Sequence, residues 1–119
     1  MWRAFMNAGV VINNGTDVPV ENIDPFANFY SSVTRKQKNG DSFYPEQKMT
    51  REEALFSYTL ANAYATFEDK LKGSLEVGKY ADLIMLNNNI MTCDESEIPK
   101  TKVLMTIVGG KVGYRSDKW

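Results

Sequence analysis

The stretch VLMTIVGGKVGY, residues 103–114, sets two apolar runs on either side of Gly109-Gly110. A glycine pair between extended runs marks a two-residue hairpin, because the turn that suits right-twisted strands needs positive φ at both central positions. Strands are therefore expected at 102–108 and 111–114, and ADLIML at 81–86 adds a third extended run. Their partly alternating pattern suits a sheet covered on one face. The chain before residue 70 has a different period.

There the apolar residues recur at helical spacing. Thr50 stands three residues before Glu53, a capping box, and is followed by Ala54, Tyr58, Ala61 and Ala65 on one face, with Leu55, Tyr64 and Phe67 beside it. This predicts a helix from about 51 to 66. A second helix, about 25 to 36, is expected to start with Asp24 as N-cap and Pro25 as first helical residue, turning Phe26, Phe29, Tyr30 and Val33 inward. A short helix over residues 1–8 places Trp2, Phe5 and Met6 together and stops at Gly9. Between these helices lies VVIN, a continuous β-branched run that predicts a strand at 10–14 covered on both faces, as in a parallel sheet. The loop KNGDSFYPEQK, residues 38–48, separates the second and third helices. The order of elements is helix, strand, helix, helix, then a small β portion.

Bulk properties narrow the function. With 119 residues the chain is one domain's worth of material, able to bury roughly two thirds of its unfolded surface. Lys and Arg number 14 against 15 acids, so there is no basic footprint for nucleic acid, and TRKQK at 34–38 reads as the solvated end of a helix. No run approaches the roughly 18–20 apolar residues of a membrane span, and the start MWRAFMNAG lacks the pattern of a secretory signal. A cytoplasmic setting is expected, with no membrane and no nucleic-acid partner. The lone Cys93 has no disulfide partner within the chain, and with no histidine anywhere it lacks the usual base for nucleophilic work.

Two acids invite attention. Asp17 in NNGTDVPV comes after the VVIN run, at what reads as a strand's end, and in parallel α/β folds working residues stand at the carboxyl ends of strands. The plain alternative is a turn acid whose carboxylate accepts the amides of Val18 and Val20. In GSLEVGKYADLIML, residues 73–86, Gly73 and Gly78 permit positive φ, Leu75 is expected to plug a core, and Asp82 to tie turn amides at the start of a strand. That stretch reads as a structural corner without chemistry.

Taken in order, NAGVVINNGTDVPVENIDPFANFYSSVTR, MTREEALFSYTLANAYATFEDKLKGSLEVGKYADLIML and VLMTIVGGKVGY resemble the C-terminal stretch of the metal-dependent amidohydrolase superfamily, most closely its amidohydrolase family 3 branch. Thr16 stands where that branch has Ser. The resemblance implies an α/β to α+β arrangement: residues 1–70 as the last strand and closing helices of a (β/α)8 barrel, and 71–119 as part of a composite β-sandwich. It also implies a role for Asp17, as the acid at the end of the last barrel strand. In relatives that acid binds or faces a divalent metal such as zinc, takes a proton from the attacking water and hands it to the leaving nitrogen.

The histidines that hold the metal in such enzymes have no counterpart in this sequence, and three protein ligands plus water cannot be gathered from it in the ordinary way. The expected function is thus the C-terminal portion of a hydrolase of amide-like C–N bonds, inactive alone and without a cofactor of its own. Asp17 would serve as a metal ligand only when upstream ligands are supplied. The competing hypothesis is a non-catalytic structural or assembly module on an amidohydrolase-like scaffold. Either way an unpaired strand edge, together with the aromatic faces on the second and third helices, predicts association with a second copy or with an upstream amidohydrolase segment.

Overall fold

The capping box at Thr50 is present: its side chain accepts the Glu53 amide, and the Glu53 carboxylate accepts the Thr50 amide in return. In a computed structural model of the chain, which describes residues 1–37 and 39–117, this cap opens α3, Arg51–Tyr58. It is preceded by α1, Trp2–Asn7, and α2, Pro25–Thr34, and followed by α4, Leu60–Ala65. Asp24 caps α2 by accepting the Phe26 amide at 2.9 Å, and Arg35 ends it in the left-handed region at φ +58. The forecast end near 36 is therefore too late. Lys38, the last residue of the basic cluster, lies outside the described residues, as do the last two residues of the 71–119 segment.

The single helix expected over 51–66 is two. At Thr59 the backbone departs to φ −123, ψ −91, and the break resets the helical phase. Ala54, Ser57 and Ala61 are buried before and across it, but beyond it Ala63 is buried and Ala65 is exposed, contrary to the repeat.

Among the described residues the sheet has three strands in the order β1, Leu83–Leu86, β2, Val103–Val108, and β3, Lys111–Arg115, all antiparallel. Gly109 and Gly110 both have positive φ, +56 and +77, as the hairpin turn requires. Asp82 does tie an amide, but across the fold: its carboxylate accepts Gly109 N–H at 2.7 Å, while Gly110 N–H donates to the Ala81 carbonyl. The start of β1 is thereby stitched to the hairpin turn. Leu75, expected as a plug, is 76% exposed, because the turn around Gly73 and Gly78 faces it outward.

The core gathers Phe29, Val33, Met49, Ala54 and Ile98, with Trp2, Ile12 and Tyr58 against it. Phe26 and Phe29 are thus covered by this chain itself, not left as an open aromatic face. Ile98 comes from a 3₁₀ helix, Glu95–Lys100, within the connection from β1 to β2, and is fully buried. Arg51 holds that connection by donating to the main-chain oxygens of Ile90 and Cys93 at 2.9 and 2.7 Å.

A further tie joins α1 to α3. The Arg3 guanidinium grips both oxygens of Glu53 at 2.7 and 2.6 Å and also donates to the Lys48 carbonyl. The Arg3 hydrogen bond, opposed by partial burial and aided by the Thr50 amide, holds the Glu53 carboxyl below its usual range. A carboxyl lowered by folding stabilises above its unfolded pKa, about 4.3, and that stabilisation is lost as pH falls through the lower folded value. Denaturation midpoints measured across pH 3–6 should therefore fall less steeply in Glu53→Gln than in the parent, with the difference confined to the acid end. Equal slopes would contradict the linkage.

Candidate functional site around Asp17

VVIN does not form a strand. Residues 10–14 form neither helix nor strand and pair with no neighbouring strand in the described structure, and Val10 and Val11 are exposed. The continuous apolar pattern predicts a strand covered on both faces, but among the described residues no strand pairs with it. Ile12 alone turns inward to the core. The run starts where Gly9, at φ +82, ends α1 and Val10 N–H returns to the Phe5 carbonyl. A shallow groove of about 390 Å³ lies beside it, lined by Met6, Val10, Val11, Ile12, Met49 and Phe56 among others.

The far end of the run is anchored by three helices. Asn14 N–H donates to the Ser57 carbonyl at 3.0 Å, and its side-chain amide to the Ser57 hydroxyl at 2.9 Å. The Ser57 carbonyl is available because α3 ends one residue later, leaving its last-turn oxygens without helical partners. The Asn62 side chain of α4 donates to the Asn14 carbonyl at 3.0 Å, and the Asn28 side chain of α2 to the Gly15 carbonyl at 3.2 Å. None of Asn14, Asn28, Ser57 or Asn62 stands out in the sequence. Separations of 43 and 48 residues put the Ser57 and Asn62 contacts beyond any local pattern.

Asp17 follows this anchor in a loop, as expected for its position, at φ +55, a left-handed conformation that Asp tolerates better than most residues. Its carboxylate does not take the Val20 amide. That N–H donates to the main-chain oxygen of Asp17 at 2.8 Å, with Glu21 N–H at 3.4 Å, so the turn is closed by backbone and the exposed side chain is not needed for it. The turn passes through a cis Val18–Pro19 bond and leads, by way of Asn22 accepting the Asp24 amide, into the cap of α2.

What this arrangement offers is the exposed Asp17 carboxylate on an anchored loop, with the exposed Glu21 in the same turn. Among the described residues there is no group of three or more His, Cys, Asp or Glu that could hold a metal, and the sequence has no histidine. The donor set of the described residues therefore does not fit a metal centre. No helix of the described residues is long and apolar enough to cross a membrane.

Comparison with known proteins agrees with the motifs. The family model described as "Amidohydrolase family" matches residues 1–114. The chain is 31% identical over 112 residues to an N-substituted formamide deformylase of Arthrobacter pascens, 94% of this chain and 21% of that protein. It is 26% identical over 116 residues to the putative amidohydrolase YtcJ of Bacillus subtilis (strain 168), 95% of this chain and 22% of that protein. It is 33% identical over 116 residues to the protein LONG AFTER FAR-RED 3 of Arabidopsis thaliana, 96% of this chain and 20% of that protein. The chain thus spans about a fifth of the length of the curated relatives it matches. With a match across nearly all its residues, the chain belongs to the amidohydrolase family.

Proposed function

We propose that this chain is the C-terminal part of an amidohydrolase acting on amide-like C–N bonds, and that Asp17 is the one active-site residue it contributes. The observation that carries this reading is the run 10–14, whose residues Val11, Ile12 and Asn13 donate no main-chain hydrogen bond within the described structure and which leads through Gly15 and Thr16 to Asp17. An apolar extended segment with open amides is half of a sheet contact, and the missing half belongs to a neighbouring strand. Exposed apolar side chains elsewhere, Phe67 at 94% and Val77 at 109% among them, and a third strand exposed along all 5 residues, support a larger body against this surface. That body is the upstream amidohydrolase segment. In its absence the same edge is open to a second copy of this chain.

The metal ligands of such an enzyme would come from that upstream segment, since the described residues hold no such set. The relative named as an N-substituted formamide deformylase gives the first substrates to try. Assayed alone with N-substituted formamides and added zinc, the chain is expected to show no turnover above buffer. Supplied with the remaining segment of a full-length relative that lacks the matching region, it is expected to restore hydrolysis. Asp17→Asn should reduce the restored rate by about 10²–10⁴-fold, the range for loss of a general acid–base group, with little effect on folding. Turnover by the isolated chain that Asp17→Ala abolishes would refute the reading, as would restored turnover indifferent to Asp17→Asn.

A further inference from the structure

We infer that Asn28 and Asn62 are positioning residues that hold the Asp17 loop in place before any partner arrives; this rests on the reading of Asp17 as the active-site acid. A lone acid at the end of an unpaired segment would ordinarily wander, because no ladder fixes the segment on either side. Here the two peptide carbonyls just ahead of Thr16 and Asp17 are each taken by a side-chain amide from a different helix: Asn14 O by Asn62 of α4, Gly15 O by Asn28 of α2. Ser57 of α3 takes both the main-chain and side-chain N–H groups of Asn14. The three helices converge on two consecutive residues, Asn14 and Gly15, which Thr16 alone separates from the left-handed Asp17.

The chemistry suits a fixed platform. Asn supplies a donor without charge, so the carbonyls are pinned without placing a cation beside the Asp17 carboxylate. Neither Asn is required by its own helix: alanine is the better helix former at both positions. Their presence is better explained by the loop they hold. Preorganising a reacting group is what turns a nearby carboxylate into a useful one.

Backbone ¹⁵N relaxation on the isolated chain tests this without any assay of turnover, so its outcome is separate from that of the catalytic reading. In the parent, the amides of Thr16 and Asp17 should have order parameters of about 0.85, the value of rigid backbone. Asn28→Ala should lower them below about 0.6 while the melting temperature stays level or rises, since the substitution favours α2. A purely structural Asn would move both readouts in the same direction. Asn62→Ala should loosen the loop at least as much, and Ser31→Ala on the same helix as Asn28 should leave it unchanged. Order parameters at 16–17 that persist in Asn28→Ala, or that are already below 0.6 in the parent, would overturn the proposal.

Discussion

Replacing Ile98 by alanine is expected to destabilise the protein by about 2–5 kcal/mol, the range for emptying a fully buried aliphatic site. The side chain has no exposed surface and sits among Phe29, Val33, Met49 and Ala54, residues from two helices and the loop between them. Collapse around the hole is restricted, because the segment carrying it is held at its near end by Arg51 and the loop carrying Met49 is tied to α2 by the Met49 N–H donating to the Ser32 carbonyl. The loss should appear in urea unfolding as a lower midpoint with little change in slope. Ile98→Val, which keeps most of the volume, should cost only about 0.5–1.5 kcal/mol. Equal effects of the two substitutions would show that the site repacks freely.

Gly73→Ala should be comparably severe, for a different reason. Its φ of +93 disfavours any side chain, and a Cβ built there would lie 2.8 Å from the Ala63 Cβ and 3.0 Å from the Leu60 Cα. The second of these is helix backbone, which cannot step aside as a rotamer can. A strained residue of this kind costs of order 1–3 kcal/mol, and overpacking adds about 1–3 kcal/mol. Gly78 provides the control, since at φ +96 it has nothing within 4 Å of the added atom. Gly78→Ala should show the backbone cost alone. Thermal melts giving the same shift for both variants would remove the close approach of α4 as a cause.

Local signals in the sequence were reliable where one short segment contains both partners of the interaction. The Thr50–Glu53 box, the Asp24 cap followed by Pro25, and the Gly109-Gly110 turn were legible because each is completed within a few residues. The strand expected at 10–14 did not form, since pairing is a property of neighbours, and the apolar run VVIN carries no information about whether one is present. The helix break at Thr59 carries no glycine or proline to announce it, and its consequence, Ala65 turned outward, could not be foreseen from spacing. Leu75 was misplaced because an apolar residue in a Gly-flanked turn says nothing about which way the turn faces. For the candidate site, the loop location of Asp17 agrees with the expectation, while the strand expected ahead of it does not form. The asparagines that fix that position were not legible, because their partners lie on helices remote in sequence.

The connection between β1 and β2 has a consequence for the order in which the molecule assembles. β2 and β3 are joined by two residues, so their pairing is a local event of the kind completed in roughly 1–10 μs. β1 and β2 are neighbours in the same sheet, yet the chain between them runs out through residues 87–102 and lodges Ile98 among the helices before returning. Closing that longer loop is rewarded only when the helical core is ready to receive Ile98. The arrival of β1 is thus timed by helix packing and not by strand propensity. A slow phase in refolding should carry the signals of Leu83–Leu86 and Ile98 together, after the hairpin has already formed.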